Sequence, residues 1–369
     1  MNNRIYADHN AGSPLRPEAL KAMLPFFEQP GNPMSLHADG RETRAAIERA
    51  RDAMARLLGA RHSEIVFTSG GTESVNLALQ GVSNAGKKRV VVSAVEHPAG
   101  LSAVPDAVAA PVKEDGTVDL DALRELAEGA CLVSVMHANN ETGAVQPVKE
   151  AARIAHEAGA FFHTDAAQSA GKIPVHVDKM DVDLLSISGY KFGGPRGVGA
   201  LYARNGLTLQ PLLRGGPQER QRRPGTENAP AIVGMAVALE AAVLEMSGAE
   251  KRLRKMTRRF IEQARQLFPE TRLNTPPKSV PGAVNISFKN LSAENLTIAL
   301  DLLGVSVSTG AACASGSVEP SHVLRAMRLP DEYARGAVRF SFGYCSPESD
   351  IDETLSALKT ALQRTLAAA

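Results

Sequence analysis

The sequence contains no tryptophan, only 4% aromatic residues and three cysteines. So few aromatics leave little to stack on unpaired bases, and a formal net charge of +1 provides no basic footprint, which together exclude a nucleic-acid binder. Cys131, Cys313 and Cys345 are widely separated, with no Cys-x-x-Cys pair. That spacing argues against a resident metal site and for a reduced, cytoplasmic protein in which any special cysteine is reactive rather than structural. No apolar run approaches the ~20 residues of a membrane span, so no membrane role is expected. The start, Met-Asn-Asn-Arg-Ile-Tyr-Ala-Asp, enters a strand directly and has no secretory leader pattern. Repeats and low-complexity tracts are absent as well.

What is present is 369 residues, 44% hydrophobic and 22% charged, enough for two domains. Short apolar runs alternate with helical patterns. Strands are expected near 5–7, 64–68, 89–93, 131–136, 160–164, 184–187 and 198–202. Helices are expected at 16–27, 41–58, 72–80, 120–128 and 148–158. Apolar strands spaced by helices imply a mostly parallel sheet covered on both faces, with ligands bound at its carboxyl edge. A long helical stretch from 229 to about 268 leads to a second unit, with strands near 283–288 and 337–341 and helices near 293–303, 320–328 and 349–366.

Several strand ends carry chemistry. Asp183 to Tyr202 holds two apolar runs around a glycine-rich loop with Lys191 at its rim. An amine there suits a Schiff base, for which partial desolvation keeps it neutral part of the time; the alternative is a surface lysine beside a glycine turn. Thr68-Ser-Gly-Gly-Thr-Glu-Ser74 joins a strand to a helix, where free N–H groups and the helix dipole make either an anion site or an ordinary cap. It lacks the pattern of a P-loop and of a dinucleotide fingerprint. Asp165 ends an apolar strand, where a carboxylate needs a partner such as a protonated pyridine nitrogen, or else serves as a helix N-cap. His97 follows another strand and either stacks on a flat ring, moves a proton, or is structural. Asn140 either bonds a ring hydroxyl or shapes a turn. Cys313, among small residues in Thr309-Gly-Ala-Ala-Cys-Ala-Ser-Gly-Ser317, is a travelling thiol or an incidental one, whereas Cys131 reads as core. Arg339, inside a strand-like run, is a fork for a carboxylate or an exposed strand position.

Taken in order, these segments resemble the cysteine desulfurases of the class V aminotransferase group over nearly the whole chain. Thr-Ser-Gly-Gly-Thr-Glu-Ser, His-Thr-Asp-Ala-Ala-Gln-Ser and Ser-Gly-Tyr-Lys with its Gly-Pro-Arg-Gly-Val-Gly tail carry the likeness. Ser308-Thr-Gly-Ala-Ala-Cys-Ala-Ser with Glu319-Pro-Ser is similar to the group I form, of the nitrogen-fixation and iron–sulfur-assembly type. The resemblance implies pyridoxal-phosphate fold type I: an α/β large domain at 16–250 with a mostly parallel seven-stranded sheet, and a smaller α+β domain from 1–15 and 251–369. It implies pyridoxal 5'-phosphate bound by Lys191, a phosphate held by Gly71, Thr72, Ser188 and the partner subunit's Thr226, and Asp165 on the ring nitrogen. Gln168 would meet the ring oxygen and His97 would stack. Asn140 and Arg339 would hold the carboxylate of L-cysteine. Cys313 would accept sulfur as a persulfide and would be the only transient iron–sulfur ligand. A homodimer that passes sulfur to an acceptor or iron–sulfur scaffold protein follows from the same likeness.

The chain departs from the family pattern in four places. Tyr190 stands where histidine usually precedes the lysine; as a cofactor-binding residue its phenol would still donate to a phosphate oxygen but could not become a cation near neutral pH. Ala11-Gly12-Ser13 replaces Ala-Thr-Thr. The stretch after His97 is short, and the C-terminal tail with which housekeeping relatives engage a scaffold is missing.

Overall fold

The computed structural model describes residues 4–28, 30–83, 89–309 and 320–367. Its centre is a seven-stranded sheet in the order Ile65–Thr68, Gly199–Ala203, Leu184–Ser188, Phe161–Asp165, Ala130–Ser134, Arg89–Ser93, Val108–Ala110. Gly199–Ala203 runs antiparallel to both neighbours. The other pairings are parallel. Strands such as Leu184–Ser188 are buried at every position, which is why they read as continuous apolar runs rather than alternating ones. Helices cover both faces, and four strands that run in the same direction end at Thr68, Ser188, Asp165 and Ser93, on one edge.

The helix expected from residue 41 begins earlier, at Ala38, because the His37 side chain accepts the Gly40 N–H and caps it; histidine is not a usual cap signal. That helix stops at Gly59, whose φ of 71° a side chain would strain. The run expected at 16–27 is two helices, Pro17–Met23 and Pro25–Glu28, because Pro25 restarts the chain. The pattern gave no notice of the short strands Val108–Ala110, Thr271–Leu273 and Val305–Ser306. Three residues or fewer are too short for any period to register.

The Ala229–Leu267 helix links two apolar cores. Its first half places Ile232, Met235, Leu239 and Ala242 in the core of the parallel sheet. Its second half places Leu253, Met256, Phe260 and Ala264 in a core shared with Ile5, Val284, Phe340 and Leu358. A window of this helix is long and apolar enough to cross a bilayer, against the expectation of no such run, and half of that window is buried within the protein. Its apolarity is thus spent on core contacts. The second core lies against a three-stranded antiparallel sheet of Ala337–Ser341, Ala283–Phe288 and Thr271–Leu273. The N-terminal strand Ile5–Tyr6 pairs with Val305–Ser306, and Asp8 bridges to Ser341. That path carries the following residues, Asn10 and Ala11, to the carboxyl edge of the large sheet.

His163 ties three adjacent strands together. One ring nitrogen meets Ser134 Oγ at 2.8 Å and the other Ser186 Oγ at 2.9 Å. Full burial holds the imidazole neutral, lowering its pKa from 6.5 to about 3. The unfolded chain therefore binds the His163 proton at a higher pH than the folded one. Its stabilising share is complete above about 6.5 and is lost as the pH falls toward 3. The margin of the native protein over His163→Gln, read from urea midpoints, is expected to shrink between pH 7.5 and pH 5; a constant margin would refute this.

Candidate active site

At the carboxyl edge lies a cavity of about 750 Å³. Its floor is the junction of the Ile65–Thr68 strand with the Gly71–Ser83 helix. Glu73 shapes this junction by accepting the Ser69 N–H at 2.8 Å while pairing with Arg223 at 2.9 Å. Gly71 faces Ser188 so closely that a Cβ would come within 3.2 Å of the serine Cβ. Glycine thus keeps a space open between the helix N-terminus and two hydroxyls, Thr72 and Ser188, that line the same cavity.

Lys191 closes the short turn Gly189–Lys191 directly after the Leu184–Ser188 strand. Its Nζ donates to the carbonyls of Asn10 at 2.7 Å and Ala11 at 3.1 Å, so it is held within the cavity and is no surface lysine. Tyr190 lies beside it, with the Lys191 amine 4.8 Å from the ring centroid. A Cβ at Gly12 would approach that ring to 3.0 Å. Two departures from the family pattern therefore fit each other: the glycine at 12 makes room for the phenol at 190. Gly12→Thr is expected to overpack the site by about 1–3 kcal/mol, and Tyr190→His to recover most of that loss. Additive effects in thermal unfolding of the four proteins of this cycle would argue against the coupling.

Asp165 is buried, and its carboxylate accepts the Ala167 N–H at 2.8 Å. A turn follows it rather than a helix, so the N-cap alternative falls away. Burial pushes its pKa up from 3.8 to about 6, and among the described residues it makes no ion pair. His97 lies half-buried on the cavity wall. Its Nδ1 accepts the Ala99 N–H at 3.1 Å, which leaves Nε2 to carry the proton. Burial and then the nearby Lys191 charge lower its pKa, so the ring is neutral.

Arg339 is 2% exposed, which corrects the alternative of an exposed strand position. Ser308 bridges to it along one edge, and Asp8 bridges to Ser341 of the same strand. Its Nη1 donates to the Asn140 carbonyl at 3.0 Å and its Nη2 to Asp8 at 2.7 Å, while the buried Nε has no protein partner. Asn140 lines the cavity beside it. Gln168 is buried at the back, donating from Nε2 to the Asn10 carbonyl at 2.8 Å. Thr226 is exposed and is not part of this chain's cavity wall. Cys313 lies outside the described residues.

Sequence reading missed Asn10, Glu141, Lys172 and His322. Glu141 lines the cavity, is pushed up by burial and accepts the Ser321 hydroxyl at 2.6 Å. His322, also on the wall, meets the Glu96 carbonyl at 2.9 Å. Glu141 stands beside Asn140 in the strand-end stretch His137 to Gly143, where a carboxylate reads equally well as a solvated turn residue. Asn10, Lys172 and His322 stand in no glycine-rich pattern and not directly at the end of a strand of the large sheet.

These groups fit pyridoxal phosphate. The glycine cradle at a helix N-terminus suits the phosphate, and the buried acid, which makes no ion pair among the described residues, suits a protonated pyridine nitrogen. An enclosed amine is available for the aldehyde.

Comparison with known proteins agrees. Residues 5–354 match the family model "Aminotransferase class-V". The chain is 45% identical over 377 residues to "Cysteine desulfurase IscS" of Dictyoglomus turgidum, covering 99% of this chain and 96% of that protein. It is 42% identical over 365 residues to "Cysteine desulfurase NifS" of Azotobacter vinelandii, covering 95% and 90%. A solved "NIFS-LIKE PROTEIN" superposes with a TM-score of 0.92 at 36% identity, covering 98% of this chain and all, 100%, of that one. With the sheet, the lysine turn and the glycine cradle in the order the family requires, the chain belongs to the class V aminotransferases, among the cysteine desulfurases.

Proposed function

We propose that the protein takes sulfur from L-cysteine, releases L-alanine and holds the sulfur as a persulfide on Cys313, using pyridoxal 5'-phosphate, on which its family generally depends. The observation that carries the reading is the meeting of Lys191, Asp165, the Gly71 cradle and Arg339 around one cavity. Gly71, Thr72 and Ser188 would hold the cofactor phosphate, Asp165 the ring nitrogen and Gln168 the ring oxygen, with His97 against the ring face. Bound there, the cofactor supplies an electron sink for the charge that develops when the substrate loses its α-proton.

The chain's own groups do the rest. Arg339 is pre-set beside Asn140 and presents a fork with an unmatched buried N–H, suited to the substrate carboxylate. Lys191, once released from its own linkage, is the amine placed to take the α-proton and return one to carbon. The Cys313 thiolate attacks the substrate sulfur: an S–S bond forms, the Cβ–S bond breaks, and its electron pair remains with the substrate carbon, which gains a proton to become alanine. Among the described residues no thiol lines the cavity. Cys131 packs beside the core, and burial raises the pKa of the Cys345 thiol.

In the same reading the exposed Thr226 reaches the cavity of a second copy, and the persulfide is passed on to an acceptor or iron–sulfur scaffold protein in the cytoplasm. The test is incubation with L-cysteine, with alanine assayed and the persulfide mapped by mass spectrometry. Alanine in step with sulfur on Cys313 is expected; alanine without persulfide, or sulfur on Cys131 or Cys345, would overturn the reading. Asp165→Asn is expected to keep the cofactor bound yet lower turnover about 10²–10³-fold, the usual scale for one misplaced electrostatic partner. Steady-state alanine production at matched cofactor content checks it.

A further inference from the structure

Behind Lys191 stands a second amine. Lys172 lies in the turn after the Phe161–Asp165 strand, and its Nζ donates to Asn10 Oδ1 at 3.0 Å and to Gln168 Oε1 at 2.9 Å. Asn10 is 3% exposed and every polar group it has is engaged. Its carbonyl accepts from both Lys191, at 2.7 Å, and Gln168 Nε2, at 2.8 Å. Its N–H goes to Ser341 Oγ at 3.0 Å and its Nδ2 to the Asn140 carbonyl at 3.3 Å. One residue thus joins the two lysines, Gln168 and the segment that receives Arg339.

A side-chain amide is ambiguous until its neighbours decide which end is oxygen. A protonated lysine only donates, so the end of Gln168 that faces the Lys172 ammonium is the carbonyl. The NH2 end then faces the Asn10 carbonyl and the cavity, with its second N–H left for an acceptor there.

We propose that Lys172 is a positioning residue: it fixes Gln168 as a hydrogen-bond donor toward the cavity and braces the Asn10 carbonyl that holds the Lys191 amine. The inference rests on the cofactor reading above. The charges that act on Lys172 are those of Lys191 and Arg339. His9 beside it is neutral, its pKa lowered to about 4, and Arg16, Glu245 and Glu250 line the same small cavity behind it. Burial first, and then Lys191 and Arg339, lower the pKa of the Lys172 amine to about 7. Below that pH, removing Lys172 takes a positive charge from beside Lys191, and at any pH it frees Gln168 to turn its carbonyl inward. Both changes favour the proton on the linkage between Lys191 and the cofactor.

The test uses the intact protein loaded with pyridoxal phosphate and follows the visible band near ~420 nm, expected of a lysine-bound pyridoxal, as a function of pH. Lys172→Met and Lys172→Gln are compared with Lys172→Arg, with circular dichroism reporting the fold. In the neutral variants the midpoint of the band is expected to rise by about one pH unit, the scale set by one nearby charge. Cofactor affinity should fall several-fold in the same variants, and Lys172→Arg should restore the native midpoint. In a Gln168→Leu background the shift caused by Lys172→Met should be smaller, since the amide contribution is already gone. Folded neutral variants that titrate like the native protein would overturn the inference, as would an arginine that fails to rescue them. A native protein without the band would overturn the cofactor reading itself.

Discussion

Lys191→Ala is expected to abolish the visible band of the bound cofactor and to lower desulfuration by ~10⁴-fold or more, as loss of a group that acts in several steps does. The expectation rests on position. Lys191 follows directly on a fully buried strand, and its amine is gripped by the Asn10 and Ala11 carbonyls inside the cavity. Among the described residues the other lysine nearby, Lys172, directs its amine to Asn10 and Gln168 instead. It is not placed to substitute. The two carbonyls that receive the Lys191 amine belong to one short segment, so the fold should survive its removal. An absorbance spectrum and single-turnover alanine release check both halves. A variant that retained the band, or turned over within tenfold of the native protein, would remove Lys191 from the reaction.

The second large effect concerns stability. Glu219→Ala is expected to destabilise the protein by about 3 kcal/mol, because it leaves the buried Arg51 guanidinium with only the Ile65 carbonyl at 2.9 Å and the half-exposed Glu48 carboxylate at 3.5 Å. Arg51 and Glu219 are 4% and 6% exposed and form a two-pronged pair, with both N···O distances 2.7 Å. The carboxylate also accepts the Phe67 N–H at 3.0 Å, and the guanidinium lies over the Phe67 ring, 4.6 Å from its centroid. The pair fastens a strained segment: Glu219, Arg220 and Gln221 have φ values of 48°, 56° and 64°, three successive side chains in the left-handed region. Without the carboxylate nothing in this contact repays that strain, and the chain running on to Thr226 loses its tie to the Ile65–Thr68 strand. Urea unfolding of Glu219→Ala measures the loss, and Arg51→Met combined with Glu219→Ala should recover part of it by removing the orphaned charge. A loss below about 1 kcal/mol would show that the pair is solvated enough to be dispensable.

Much of the architecture was legible in the residues. Leu184, Leu185 and Ile187 before a glycine-rich loop announce a strand buried on both faces, and alternation with helical stretches announces a parallel sheet. Once the sheet is parallel, its carboxyl edge is where ligands meet, so Ser69, His97, Asp165 and Lys191 could be brought together on paper. Each of these lies on a strand end or on a loop with its own chemical signature. Arg339 shows the limit of such reading. Its strand is plain in the sequence, but whether a strand arginine is buried depends on what crosses it, and here Ser308 and the N-terminal segment at Asp8 do.

The chain by itself determined the alternating strand and helix pattern, the lysine turn and the glycine cradle, because each is a local matter of period, conformational freedom and side-chain chemistry. Only the tertiary structure decided that Asn10 gathers Lys191, Gln168 and Lys172, that Asp8 meets Arg339, and that Gly12 makes room for Tyr190. These contacts join residues as far as 158, 162 and 331 positions apart. An ordinary polar residue reveals nothing of such a role along the chain, since the partner that gives it meaning arrives only when distant segments pack.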